Sequence, residues 1–324
     1  MRPAFADQEW IASAARLSQR GVPLSRPNPS VGCVITRDGR VLARGWTQNG
    51  GRPHAEAHAL EALKAAAETA SGADIYVTLE PCAHVSARGP SCADLLAEAA
   101  PARVIIGQRD PDPRTSGAGI EQLEKAGIAV TVLDDAACAN SLAGYLMQAR
   151  MGRPFITLKL AMSQDGFIAR EPGGVQWITG EKARAHVHSR RAKQDAILVG
   201  GGTWRADSPR LDVRLPGLEN RSPERFILSR GQTRPDARSL SQPANVHEMT
   251  AINTLYIEGG ASTAAAFLDA DLIDRIELYI APITMGSGTK APAAILPEAL
   301  ADWELLETCQ LGSDRFAAYQ RKQN

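Results

Sequence analysis

The stretch "TLEPCAHVSARGPSCADLL" (78–96) decides how this chain is read. The apolar run "ADIYVTL" (73–79) leads into it with the character of a short buried strand, and "CADLLAEAA" (92–100) leaves it as a helix. Between strand and helix stand Cys82 and Cys92. Five cysteines in 324 residues make no disulfide framework. A strand followed by a loop and a helix points to an α/β layered unit, and with a disulfide disfavoured the paired cysteines read as a metal site or as chance.

Working outward, the same alternation continues. Upstream, "SVGCVITRDGRVLARGWT" (30–47) reads as a hairpin turning at Asp38-Gly39, and "HAEAHALEALKAAAETA" (54–70) reads as a helix. Downstream come a strand "ARVIIGQ" (102–108), a helix "GIEQLEKAG" (119–127), a strand "IAVTVL" (128–133) and a helix around "AACANSLAGYLMQAR" (136–150). Gly152 and Pro154 then punctuate the chain, and a second α/β run begins with "FITLKLAM" (155–162). It continues through a helix at 180–193, strands at 195–201, 225–229 and 254–260, a helix at 262–270 and a strand at 275–282. We therefore expect two domains, 1–150 and 151–324. The stretch 216–250 is rich in Pro, Ser, Arg and Asn and carries little apolar pattern.

Charge is balanced, with 36 basic and 36 acidic residues, so no global positive field exists to gather nucleic acid. The N-terminus reads as an amphipathic helix rather than a signal peptide, and no stretch approaches the roughly 18 apolar residues of a membrane span. The expected location is the cytoplasm, where thiols stay reduced.

His54, Cys82 and Cys92 supply one imidazole and two thiolates. Three protein ligands on zinc leave a fourth position for water, whose pKa zinc lowers from about 15.7 to about 7. Pro53 suits the first turn of a helix, placing His54 and Glu56 at a helix N-terminus. Glu56 then stands ready as the proton carrier. Taken singly, His54 is readable as a surface residue and each cysteine as a core residue. In the order HAE, strand, PC, C, helix they read as the zinc-deaminase signature, H-x-E followed by paired cysteines. One departure stands out: nine residues separate the cysteines here instead of two. His58, one turn after His54, is read as a helix residue rather than a ligand. Cys33, Cys138 and Cys309 read as core thiols.

"NPSVGCVI" (28–35), "HAEAHAL" (54–60), "TLEPCAH" (78–84), Cys92 and "RDPDP" (109–113) resemble the deaminase half of the bifunctional riboflavin-biosynthesis deaminase/reductase family, RibD. That family also spaces its cysteines widely. Its loop has the form C-S-H-x-G-[RK]-T-P-P-C, whereas "CAHVSARGPSC" (82–92) is one residue longer and lacks the Thr-Pro. "LKLAMSQDGFIA" (158–169), "QWITG" (176–180), "DAILVGGGTWRADSPRLDVR" (195–214), "YIEGGAST" (256–263) and "YIAPITMGSG" (279–288) resemble the family's reductase half, a dihydrofolate-reductase-like α/β fold using NADPH.

The resemblance implies a cytidine-deaminase-like α/β/α domain followed by that reductase domain. It implies hydrolytic deamination of 2,5-diamino-6-(phosphoribosylamino)pyrimidin-4-one, then NADPH-dependent reduction of the ribosyl chain to ribityl. Zn2+ and NADPH are the implied cofactors, a small phosphoribosylaminopyrimidine is the implied partner, and self-association through the C-terminal domain is expected. Substrate positions in the deaminase half are Asn28, His84 and Arg88, with Asn28 alternatively a turn residue before Pro29. Asp110 and Asp112 read equally as pocket residues and as turn caps. In the reductase half, Gly260, Ala261, Ser262, Thr263, Ala264, Ala265 and Ala266 align with cofactor-phosphate positions, where a glycine turn and a helix N-terminus offer backbone N–H groups. Ala161, Trp177, Thr203 and Asp207 align with other cofactor positions. Val175, Arg191, Leu211, Arg214 and Glu258 align with substrate positions, and Arg191 and Arg214 read as phosphate clamps or as solvated surface arginines. Val175 stands where the family commonly has serine, and Ser229 where it has aspartate.

Only 43 residues lie between Arg214 and Glu258, fewer than the family usually carries. A sheet lacking inner elements there would expose edges and lose core. Three other readings compete: a nucleoside or nucleic-acid deaminase, a deaminase whose second half only dimerises, and a zinc-stapled structural protein. Balanced charge opposes nucleic acid, and a structural site would be closed by four protein ligands.

Overall fold

The computed structural model describes residues 4–84, 89–170, 177–231 and 236–322. The chain divides into two compact units, Met1–Gly152 and Arg153–Asn324.

The first unit contains α1 (Ala4–Ser18), β1 (Gly32–Arg37), β2 (Arg40–Trp46), α2 (Ala55–Ala65), β3 (Asp74–Val77), α3 (Cys92–Ala99), β4 (Arg103–Ile106), α4 (Ala118–Lys125), β5 (Ala129–Val132), α5 (Ala136–Ser141) and α6 (Ala143–Met151). Its five strands lie in the order β2-β1-β3-β4-β5. The β1–β2 hairpin turns at Asp38 (φ 52°) and Gly39 (φ 78°), with Arg37 opposite Arg40. Positive φ at both turn residues is the type I′ geometry that Asp-Gly favours. β3, β4 and β5 pair in parallel. β3 is wholly buried and β4 nearly so, as strands covered on both faces must be.

Side chains alternate across this sheet. Val34, Tyr76 and Ile105 meet Ile11, Ala14 and Ala15 of α1 on one face. Cys33, Ile35, Ile75, Val77, Val104 and Ile106 face the other way, toward Ala59, Leu96 and Leu123 of α2, α3 and α4. At Gly45, an added Cβ would lie 2.2 Å from the carbonyl oxygen of Ala55. Backbone therefore packs on backbone there, and the first turn of α2 sits tight against β2.

The second unit contains β6 (Phe155–Ser163), β7 (Phe167–Ala169), α7 (Glu181–Arg191), β8 (Ala196–Gly200), α8 (Gly201–Asp207), β9 (Glu224–Leu228), β10 (Arg238–Leu240), β11 (Thr254–Ile257), α9 (Ala261–Asp269), β12 (Arg275–Ala281), β13 (Thr289–Lys290), β14 (Trp303–Leu311) and β15 (Asp314–Arg321). Eight strands form one sheet, β10-β9-β8-β11-β6-β12-β15-β14, and β13 pairs with β7 separately. From β10 to β12 every pairing is parallel, and β15 and β14 close the sheet antiparallel.

The strand read from the sequence at 225–229 is present as β9. The short stretch between Arg214 and Glu258 supplies β9, which lies inside the sheet between β8 and β10. It also sends Phe226, Leu240, Val246 and Met249 into the main core. Phe226 and Leu240 stand on strands of five and three residues, and Val246 and Met249 in and just after a 3-10 turn, a spacing too irregular to leave a readable period. At the start of the unit, the guanidinium of Arg153 donates to both carboxylate oxygens of Asp274 at 2.7 and 2.8 Å, and the amide of Ile156 donates to the same carboxylate. Among the described residues, no helix is long and apolar enough to cross a membrane.

Candidate active sites

His54 is the N-cap of α2 and contributes no side-chain cap, so its ring is free to turn toward the loop after β3. Pro53 stands one residue before that cap rather than within the first turn. Cys82 lies in that loop, and Cys92 is the first residue of α3. Ser91 and Asp94 close a capping box around the same helix end. The amide of Ala93 donates to the carbonyl of Cys82, which docks the loop on α3. The amide of Cys92 donates to Cys82 Sγ at 3.4 Å. A helix N-terminus favours thiolate over thiol.

His54 Nδ1 lies 3.3 Å from Cys92 Sγ and 3.6 Å from Cys82 Sγ. The three donor atoms all fall within 4.8 Å of one another, and no other such group occurs among the described residues. Tetrahedral zinc, with Zn–S near 2.3 Å and Zn–N near 2.0–2.1 Å, requires a nitrogen–sulfur edge of about 3.6 Å. The donor set fits a zinc ion. Hydrogen bonds from Cys92 and then His54 hold the Cys82 thiol down to about 4. The contact with Cys82 and burial push Cys92 up, and the Cys82 contact raises His54.

Glu56, in the first turn of α2, is 3% exposed. Burial pushes its carboxyl above the usual range. His58 does not join the cluster: its Nδ1 accepts from the amide of Trp46 and from Gln48 Nε2, and its ring stands edge-on to Trp46. Cys33 and Cys138 are buried, and Cys309 is half-buried, all without disulfide partners.

A cavity of about 380 Å³ opens onto the cluster. Asn28 forms part of its wall. A Cβ on Gly51 (φ +82°) would lie 1.7 Å from Asn28 Nδ2, so the asparagine amide rests directly on this glycine. His84 also lines the cavity, and its Nδ1 is buried without a hydrogen-bond partner among the described residues. Arg88 lies outside the described residues. Asp110 and Asp112 satisfy both sequence readings at once. They line the cavity, and Asp110 Oδ1 accepts from the amide of Asp112, as Asp112 Oδ1 does from the amide of Arg114.

Sequence reasoning missed two residues that hold this wall. Tyr145 donates to Asp110 Oδ1 at 2.7 Å. Buried Glu80 accepts from the amides of Asp110 (3.3 Å) and Ile120 (3.4 Å). Glu80 sits within the quoted "TLEPC", where a carboxylate leaving a buried strand was the available signal; nothing local marks Tyr145.

In the second unit, Glu258 follows β11 and Arg191 ends α7. Arg191 Nε and Nη2 donate to Glu258 Oε1 at 3.0 and 2.8 Å, and Nη1 donates to the carbonyl of Asp212. The Arg191 side chain is 7% exposed. Its guanidinium is thus engaged within the chain and is not the solvated arginine of the alternative reading. Lys159, also missed, approaches Glu258 Oε2 at 3.7 Å. A lysine inside the buried run "ITLKLAM" was its signal. Burial works to raise the Glu258 carboxyl, but Arg191 and Lys159 outweigh it and hold it below its usual value. Arg214 is exposed, with its Nε 3.4 Å from Asp212 Oδ1. Leu211 is buried at φ +54°, an uncommon conformation for a branched side chain.

Gly260 is the N-cap of α9 with no side-chain cap. Thr203 of α8 lies beside it, 3.9 Å from where a Gly260 Cβ would stand. The amide of Ala264 donates to the carbonyl of Gly260. An anion at this end would therefore meet the amides of Gly260, Ala261, Ser262 and Thr263, while Ala264, Ala265 and Ala266 lie beyond the free donors. Ala161 stands on β6 opposite Tyr279. Trp177 is 64% exposed, with the Arg184 guanidinium over its ring. Asp207 is exposed at the end of α8. Val175 lies outside the described residues.

An α/β/α unit that presents a zinc-type donor trio beside a buried glutamate, followed by a mostly parallel sheet unit, defines a two-domain enzyme of the deaminase–reductase class. The cytidine and deoxycytidylate deaminase zinc-binding region matches residues 5–108, and the RibD C-terminal domain matches residues 154–316. The riboflavin biosynthesis protein RibD of Escherichia coli K12 is 36% identical, over 91% of this chain and 93% of its own. That of Haemophilus influenzae is also 36% identical, over 98% and 99%. The solved Acinetobacter baumannii RibD superposes with a TM-score of 0.85 at 32% identity, covering 98% of this chain and 99% of its own. The Thermotoga maritima diaminohydroxyphosphoribosylaminopyrimidine deaminase/5-amino-6-(5-phosphoribosylamino)uracil reductase gives 0.86 at 28% identity, with the same coverage.

The chain belongs to the RibD family of riboflavin biosynthesis, whose members join a deaminase to a reductase. The bifunctional reading therefore stands over one in which the second half only dimerises.

Proposed function

We propose that this chain deaminates the diaminopyrimidine phosphoribosyl compound at the first unit and reduces its ribosyl chain with NADPH at the second. The observation that carries the reading is the zinc-type trio of His54, Cys82 and Cys92, of which His54 and Cys82 line a cavity together with buried Glu56. Zinc held by that trio would supply a water activated at neutral pH. Glu56 does the proton work: its carboxylate accepts one proton from the attacking water and passes it to the ring nitrogen, then takes the second proton of that water as the carbonyl forms and delivers it to the departing amine. Burial favours the protonated form it needs as the acid. Asn28 has an amide that both donates and accepts, and Gly51 holds it in the wall to orient the ring. The orphaned Nδ1 of His84 gives the ribosyl portion a hydrogen-bond partner.

In the second unit, Gly260 to Thr263 bind cofactor phosphate through backbone amides, with Thr203 alongside. Glu258, oriented by Arg191 and Lys159, faces the substrate. Hydride transfer is the cofactor's own chemistry. The enzyme works in the cytoplasm, where Cys82 and Cys92 remain thiols. It self-associates through the second unit, whose edge strand β14 exposes Leu305 and Leu306.

Mass spectrometry of products from the diaminopyrimidine substrate, with and without NADPH, tests both steps. Deaminated product without NADPH and deaminated, reduced product with it are expected. Absence of deamination by zinc-loaded protein would overturn the central claim, and deamination without reduction in both tubes would overturn the second.

A further inference from the structure

We propose that Arg52 reads the phosphate of the deaminase substrate and makes the first unit selective for the phosphorylated compound. The inference rests on the substrate class proposed above. Arg52 lines the cavity two residues before the ligand His54, in extended backbone (φ −148°, ψ 148°).

The charges around the cavity single it out. Glu56 faces Cys92. Glu80 accepts from the amides of Asp110 and Ile120. Asp110 accepts from Tyr145 and from the amide of Asp112. Asp112 accepts from both the backbone and the guanidinium of Arg114. Glu80, Asp110 and Asp112 are thus each matched by a donor of the chain, and Arg114 is matched by Asp112. Among the described residues, the Arg52 guanidinium has no hydrogen bond and no ion pair, although it borders a cavity containing four carboxyl groups. Among the described residues of the wall, Arg52 is the one arginine left without a partner.

A guanidinium presents a planar fork of donors that matches phosphate oxygens in pairs. With the reacting ring between the trio and Asn28, an anionic tail at the rim meets Arg52. A neutral nucleoside would leave the cation without a partner.

The test compares the full-length enzyme with Arg52→Gln and Arg52→Lys, using the phosphorylated and the dephosphorylated diaminopyrimidine ribosyl compounds. The deamination step is followed without NADPH, inorganic phosphate serves as inhibitor, and zinc content is measured by elemental analysis. In Arg52→Gln, kcat/KM on the phosphorylated compound is expected to fall roughly 10- to 100-fold, mainly through KM, while the dephosphorylated compound is almost unaffected. Competitive inhibition by phosphate should weaken in parallel, zinc should stay at the wild-type level, and Arg52→Lys should recover part of the selectivity. Equal losses on both compounds, loss of zinc, or unchanged selectivity would each overturn the proposal while leaving the deaminase reading intact. A wild-type enzyme that deaminates neither compound would overturn both.

Discussion

The amide of Cys92 points at the sulfur of Cys82, 3.4 Å away, so the start of α3 acts as an electrostatic cap on the thiolate supplied by the preceding loop. The nine residues between the cysteines enlarge the loop without separating its ends. A wide spacing in sequence becomes a donor set within 4.8 Å because the Cys82 carbonyl and sulfur are both held by that helix end.

Cys92→Ala should abolish zinc retention and deamination together. Reduction of an already deaminated intermediate should continue, because that step uses the second unit. Zinc content and the two half-reactions, measured separately, check this, and a zinc chelator acting on the wild type should reproduce the pattern.

Glu56→Gln should keep zinc and lose deamination by about 10²- to 10⁴-fold, the usual contribution of a positioned proton carrier. Steady-state kinetics with parallel metal analysis decides it. A variant with normal turnover would remove Glu56 from the proton path.

Gly51→Ala places a Cβ 1.7 Å from Asn28 Nδ2 at a residue with φ +82°. The asparagine must move, so KM for the deaminase substrate should rise roughly 10-fold. The second unit's reductase rate should not change.

Glu258→Gln leaves the buried Arg191 without its carboxylate and should destabilise the second unit by about 3–5 kcal/mol at neutral pH. The pH dependence follows from the carboxyl being held below its ordinary 4.5. Such a group contributes fully above the unfolded value and loses its contribution as pH falls through the lower folded value. Wild-type stability should therefore drop below about pH 4.5 more steeply than that of Glu258→Gln, as denaturant titrations across pH 3–7 would register.

Much of the fold was legible because its signals are local. Asp38-Gly39 announces a hairpin through the positive φ both residues adopt. The apolar runs ending at Val77 and Ile106 are continuous because parallel strands are covered on both faces. His54, Glu56, Cys82 and Cys92 stood out as candidates because few side chains have metal-binding or proton-carrying chemistry.

What the sequence by itself determined, then, is the α/β layering of both units and the choice of His54, Cys82 and Cys92 as candidate metal ligands with Glu56 as candidate proton carrier. Tertiary structure alone decided which charges have partners. Tyr145 reaches Asp110 across 35 residues of chain and Arg191 reaches Glu258 across 67, so these contacts exist only once the strands take their order in the sheet. Tertiary structure also gave the strand Glu224–Leu228 its place inside the sheet, through its parallel pairing with β8 and β10. Periodicity and residue chemistry are written along the chain. Pairing across a sheet depends on strand order, which brings together residues far apart in sequence.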